Sequence, residues 1–279
     1  MPGTGSSELG ILMRGTALNP VISALSDTRQ QLRRKLRDPF RPEVGRVFIV
    51  HCSHHKVGTV WFNRILGAVA KNYGLHFEFV ARDLPATTTD VFHFSNSRFD
   101  REVLGGRPFR GTHIVRDPRD IAVSGYHYHL RTDEPWAHKP RREWGGKSYQ
   151  EHLQSLNAHD GLLAEITRCT RSEWRTMGSW DYEQPEFLEV RYEDLLSDES
   201  KSLEQMFRHY GFRDKDCLTS VRIAHEFSLS TMRSKNDSHV RSGHPGEWRQ
   251  AFEPEHVAHF KELTGDLVVK LGYENSSDW

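Results

Sequence analysis

Val47 to Gly74 reads VFIVHCSHHKVGTVWFNRILGAVAKNYG, and its three parts decide the fold. VFIVHC is short, β-branched and aromatic, the composition of a strand buried on both faces. SHHKVGT is a polar turn. VWFNRILGAVAKNYG then carries apolar residues at helical spacing and stops at Gly74, as helices commonly do. A strand that runs through a short loop into a helix leaves unpaired backbone N–H groups and the positive end of the helix dipole at that loop. This is a natural anion site. Lys56 adds a full charge there, Gly58 lets the backbone turn tightly, and Thr59 offers a hydroxyl.

The same alternation continues outward. Further strands are predicted at 76–81 (HFEFVA), 90–94 (DVFHF), 111–115 (GTHIV) and 187–191 (FLEVR). A helix is predicted to start at Pro118 with Asp117 as its cap. Others are expected over 148–177, about 200–210, 214–224 and 254–271. Strands alternating with helices imply an α/β fold with a central parallel sheet, covered by helices on both faces. Residues 1–16 read as a loose Gly/Ser/Thr-rich arm and 20–37 as a mostly polar helix, ended by Pro39 and Pro42. The expected organisation is an N-terminal arm and helix over 1–45 and a single domain over 46–279. Residues 233–247 are polar and Gly/Pro-containing, and predict a long mobile loop.

Composition narrows the function. The 38 basic and 38 acidic side chains cancel, whereas a nucleic-acid binder usually shows a basic excess. Cys52, Cys169 and Cys217 are odd in number and far apart, which fits a reducing compartment. No leader pattern and no membrane-length apolar run are read, so a cytoplasmic protein without membrane or nucleic-acid partners is expected. His51, Cys52, His54 and His55 have zinc-ligand chemistry. They fall at a strand end and in the anion loop, however, where a metal would compete with a phosphate, so no metal is expected.

The loop is not a Walker A motif, because its lysine comes two residues before the glycine. The order Lys56-Val57-Gly58-Thr59-Val60-Trp61 instead resembles the 5′-phosphosulfate loop of the sulfotransferase family. The usual family loop has hydroxyl residues where this chain has Val57 and Val60. Three further stretches carry the same resemblance in family order. Arg116 ends a strand and Ser124 follows eight positions later, as in the pair that grips the donor's 3′-phosphate. Arg191-Tyr192-Glu193-Asp194 follows a strand, where the family places a tyrosine near the nucleotide. Arg241-Ser242-Gly243 precedes Gly246-Glu247-Trp248-Arg249, where the family has Arg-Lys-Gly and Gly-Asp-Trp-Lys in a loop over the 3′-phosphate.

The resemblance implies a three-layer, P-loop NTPase-like fold with about five strands. It also implies the donor 3′-phosphoadenosine 5′-phosphosulfate (PAPS), used without metal. Lys56 is then expected to stabilise the leaving oxygen. His93, 23 residues before Arg116, is the expected base, since the cytosolic branch carries a histidine about 22 residues before that arginine. Trp61 is expected against the adenine, with Leu229 or Phe227 on its other face. The segment from Tyr126 to Tyr149 mixes aromatics with charges of both signs, which suits a small-molecule hydroxyl or amine acceptor better than a polyanionic glycan. The family's Thr-Val dimer motif is absent from Arg249 to Pro254, so any dimer is expected to use another surface. Two alternatives stay open on the residues: a P-loop kinase using ATP, and a non-catalytic nucleotide-binding protein of the same fold.

Overall fold

The computed structural model describes residues 47–80, 89–234 and 244–279. Contacts divide the chain into Met1–Pro42 and Glu43–Trp279. The first unit, including the expected helix over 20–37, lies outside the described residues, as does most of the expected loop over 233–247.

Five strands form one parallel sheet: β1 (Phe48–Ser53), β2 (Phe77–Val80), β3 (Val91–Ser95), β4 (Phe109–Val115) and β5 (Phe187–Arg191). Their order is β2-β3-β1-β4-β5, and every pairing is parallel. The strand expectations fall on these elements, and β4 begins two residues earlier than expected. The sheet is buried on both sides. Ile49, Val91 and Ile114 face one core, which includes Trp61, Phe62 and Ile65 of helix α1 (Thr59–Asn72). Val50, Phe92, Phe94, Phe109 and Phe187 face the other. Gly111 has no side chain because the Phe187 ring takes the space, 2.4 Å from where a Cβ would sit.

Helix α2 (Pro118–His129) starts where proline and the Asp117 cap predict, with Asp117 accepting from the Arg119 amide at 2.9 Å. The single helix expected over 148–177 is instead three: α3 (Tyr149–Gln154), α4 (Ala158–Thr170) and α5 (Glu173–Ser179). Ser148 and Glu151 form a capping box at the first start and Asn157 caps the second, so polar side chains satisfy each new helix end. After β5 come α6 (Tyr192–Ser197), α7 (Glu199–His209), α8 (Asp214–His225) and α9 (Leu229–Ser234). Then follow α10 (Trp248–Ala251), α11 (Pro254–Thr264) and α12 (Leu267–Lys270). Gly265, at φ 57°, separates the last two and breaks the helix expected over 254–271. None of the described helices is long and apolar enough to cross a membrane.

This topology locates a site. The chain winds from β1 outward to β2 and β3 on one side, then crosses to β4 and β5 on the other. The order reverses at β1, and ligands of open α/β sheets bind beyond the carboxyl ends of the strands at such a switch point.

Candidate active site

The loop after β1 lies at that switch point. Lys56 and Gly58 both take left-handed backbone geometry, at φ 64° and 89°. Alternating hands of this kind turn successive N–H groups toward one concavity, which the start of α1 extends. The loop is pinned from beneath. Thr59 Oγ1 donates to the His54 carbonyl at 2.9 Å and lies 3.1 Å from Ser53 Oγ. The Thr59 hydroxyl therefore braces the loop, while the residue itself borders the cavity above it. Val57 is fully buried in the core, so its missing hydroxyl is exchanged for anchorage.

A cavity of about 660 Å³ opens over the loop. The C-terminal edges of the strands supply its floor: Lys56 after β1, Ser95 and Asn96 at the end of β3, Arg116 after β4 and Tyr192 after β5. Gly58, Thr59, Val60, Trp61, Ser124 and Leu229 also border it.

Arg116 is 4% exposed. Its Nη1 donates to the Lys56 carbonyl at 3.1 Å, and its guanidinium lies 4.7 Å from the Tyr192 ring centre. Its Nε is buried with no hydrogen-bond partner among the described residues. A buried guanidinium N–H without an acceptor is costly unless a ligand oxygen completes it. The turn that carries Arg116 is held by Glu193, which accepts from the Asp117 amide at 3.0 Å and from the Tyr273 hydroxyl at 2.8 Å. Asp120, one turn into α2, accepts from the amides of Gly246 at 2.6 Å and Trp248 at 3.0 Å. Arg119 stacks on Trp248, 3.8 Å from its ring centre. Two stretches about 130 residues apart in sequence are thereby joined beside the cavity.

The Lys56 ammonium sits 3.8 Å from the centre of the Tyr128 ring. Burial, reinforced by Arg116, brings its pKa down to about 8, against the opposing pull of Glu134 and Glu165. Trp61 is 2% exposed, packs edge-on to Tyr192, and belongs to the core as well as to the cavity wall. Leu229 and Met232 reach the cavity, whereas Phe227 packs against the core and does not line it. Arg241, Ser242 and Gly243 lie outside the described residues.

His93 is not where a base is needed. It is fully buried, with Nε2 at 2.7 Å from Ser53 Oγ and Nδ1 at 2.7 Å from Asn63 Oδ1. Burial takes its pKa down to about 3. The cause is depth along the strand. Ser95 ends β3 and lines the cavity, while His93 lies two residues back, about 7 Å deeper at the strand rise. The other histidines of the loop disperse. His51 pairs with Thr112 at 2.8 Å and His54 with His113 at 2.9 Å, while His55 reaches His129 at 3.2 Å.

The acceptor-side expectation is met in part. Tyr128, Arg131, Glu134, Trp136, Arg141 and Trp144 line the cavity. Tyr126 instead packs against Gly161, and Tyr149 is buried with its hydroxyl on Glu165 at 2.6 Å.

The model of the sulfotransferase domain family matches residues 110–272, more than half of the chain, including Arg116, Tyr192 and all but the first residue of β4. The chain belongs to the sulfotransferase family. Its enzyme class is that of PAPS-dependent sulfuryl transfer. Among solved structures, this sulfotransferase is similar to mouse sulfotransferase SULT7A1 complexed with PAP, at 20% identity and a TM-score of 0.54, over 82% of this chain and 86% of that one. It also matches retinol dehydratase in complex with androsterone and inactive cofactor PAP, at 14% identity and a TM-score of 0.46, over 79% and 80% of the two chains. The first likeness shows the shared five-stranded α/β fold. A search of curated protein sequences returns no significant match.

Proposed function

We propose that this sulfotransferase binds PAPS across the carboxyl ends of its sheet and transfers the sulfuryl group to a hydroxyl or amine of a small-molecule acceptor. The observation that carries this reading is the buried Arg116 Nε, left without a hydrogen-bond partner among the described residues, beside the Lys56 loop. A guanidinium so placed fits a phosphate.

The donor, when bound, supplies the sulfuryl group, and the residues of this chain do the rest. Arg116 and Ser124 hold the 3′-phosphate, with Arg241, Ser242 and Gly243 proposed to close over it. The N–H groups from Lys56 to Trp61 hold the 5′ end. Trp61 and Leu229 border the adenine, beside Tyr192. Lys56 faces the leaving oxygen as charge develops there, where a preorganised cation is worth a rate factor of about 10² to 10³. All of these groups belong to the 46–279 unit, proposed to act as one domain.

On the acceptor side, Trp136 and Trp144 supply flat apolar walls, while Glu134, fixed by hydrogen bonds from Tyr128 and Trp136, adds a polar group. A cavity of this size suits a nucleotide plus a small acceptor.

Calorimetry tests the donor. Adenosine 3′,5′-bisphosphate (PAP) is expected to bind in chelator, without metal. Binding of ATP only with magnesium would favour a kinase instead. A screen of phenols, alcohols, amines and oligosaccharides with labelled PAPS tests the acceptor. Turnover confined to a polyanionic glycan would overturn the small-molecule reading, and PAP binding without any turnover would favour a non-catalytic nucleotide-binding role.

A further inference from the structure

The cavity needs a proton acceptor for a hydroxyl substrate, and His93 lies beneath its floor. We propose that His55 is the general base of this sulfotransferase, held in its basic tautomer by a relay through His129 to Glu165. The proposal rests on the sulfuryl-transfer reading of the same cavity.

The relay begins in the core. Glu165, on α4, is fully buried. Its Oε2 accepts from His129 Nδ1 at 2.9 Å and from the Tyr149 hydroxyl at 2.6 Å. Its Oε1 accepts from Arg168 Nε at 2.9 Å. Space for this carboxylate is built into α2: a Cβ on Gly125 would stand 2.3 Å from Glu165 Oε1. Burial pushes the Glu165 pKa up, but the Arg168 charge and the hydrogen bonds from His129 and Tyr149 outweigh it and hold the carboxyl at about 2. It is therefore ionised and can only accept.

Proton placement follows from that end. His129 Nδ1 must carry the hydrogen it gives to Glu165. In the neutral ring, Nε2 of His129 is then a bare acceptor. His55 Nε2 lies 3.2 Å away and must be the donor to it. That leaves the lone pair on His55 Nδ1, which has no hydrogen-bond partner among the described residues. The two rings lie nearly parallel, with 11° between their planes and 5.2 Å between their centres. The geometry extends by one imidazole the logic by which a buried carboxylate fixes the tautomer of a catalytic histidine.

The place is also right. His55 lines the cavity and directly precedes Lys56. Both border Tyr128, the Lys56 ammonium over its face and the His55 ring against it at 5.6 Å between centres. His55 Nδ1 takes the hydroxyl proton as the bond between acceptor oxygen and sulfur forms. The bond from sulfur to the 5′-phosphate oxygen breaks, and its electron pair stays on that oxygen beside Lys56. Burial, with His129, Lys56 and Arg168 beside it, holds the His55 pKa well below the usual imidazole value, so the ring keeps its lone pair in the free protein. His129 and Glu165 touch no substrate and are positioning residues.

Two measurements test this. In ¹⁵N-histidine spectra of the full chain without ligands, the signals lost in His55→Asn are expected to show a protonated Nε2 and a bare Nδ1, and His129→Gln is expected to abolish that preference. In turnover, His55→Asn is expected to lose about 10²-fold or more on a neutral alcohol. It should lose far less on 4-nitrophenol at a pH where that acceptor is already ionised. A proton on His55 Nδ1 in the native chain, or equal losses on the two acceptors, would overturn the proposal. The spectra need neither donor nor acceptor, so a native chain that fails to bind PAP would strike the sulfotransferase reading and leave the tautomer result standing.

Discussion

Arg116 Nη1 donates to the carbonyl oxygen of Lys56 at 3.1 Å, so the arginine that ends β4 holds the backbone of the loop that ends β1. One guanidinium thereby sets the loop and keeps a buried Nε that has no hydrogen-bond partner among the described residues. Arg116→Ala removes both, and hydrogen bonds to charged groups are worth about 1.5–3 kcal/mol each. PAP affinity is expected to fall roughly 10- to 100-fold or more by calorimetry. Arg116→Lys keeps the charge but not the fork, and is expected to recover only part of the loss. Native affinity in Arg116→Ala would remove this residue from the donor site.

Lys56 makes donor binding depend on pH. An anion favours the ammonium form, and in the free protein that proton leaves as pH rises through about 8. PAP affinity is therefore expected to be full below pH 8 and to weaken above it, by up to about tenfold per unit. The Lys56→Ala protein should bind weakly with that dependence lost, fold normally, and turn over about 10² to 10³ more slowly. A native affinity that stays level from pH 7 to 10 would contradict the assignment.

His93 braces the floor through Ser53 and Asn63. Its replacement by alanine takes that partner from the buried Ser53 and the partly buried Asn63, at about 1–3 kcal/mol of stability. The expected signature is a lower melting temperature, with turnover on neutral and on ionised acceptors reduced by the same factor. A selective loss on neutral alcohols with unchanged melting would return the role of base to His93.

Asp120 ties α2 to the segment that opens with Gly246. Asp120→Ala strands the Gly246 and Trp248 amides, the latter in a buried hydrogen bond. Melting is expected to drop by the equivalent of about 1–3 kcal/mol, and PAP affinity to weaken because the released segment adjoins Arg241. The Asp120→Asn variant keeps one carbonyl acceptor and should lie between. Melting and affinity both at native values in Asp120→Ala would show that the tie is dispensable.

Local order in this chain is written locally. The β-branched and aromatic runs ending at Ser53, Ser95, Val115 and Arg191 declare buried strands, because a parallel sheet covered on both faces tolerates little else. Lys56, Gly58 and the start of α1 declare an anion site for the same reason, since seven consecutive residues supply its charge, its turn and its N–H groups. Helix ends were less legible. The Ser148–Glu151 box and the Asn157 cap were present in the sequence, but the apolar spacing runs through them and hides the breaks.

What the sequence could not decide is depth and distant pairing. Along β3, His93 and Ser95 look equally available, and only the position of the sheet edge buries one and exposes the other. His55, His129 and Glu165 are 74 and 36 residues apart, and no spacing rule joins them. They meet because the β1 loop, the end of α2 and the middle of α4 close on one another, with Gly125 leaving room for the carboxylate. Strand, helix and anion loop follow from interactions over a few residues, whereas the tautomer of one imidazole depends on a buried charge brought from 110 residues away by packing.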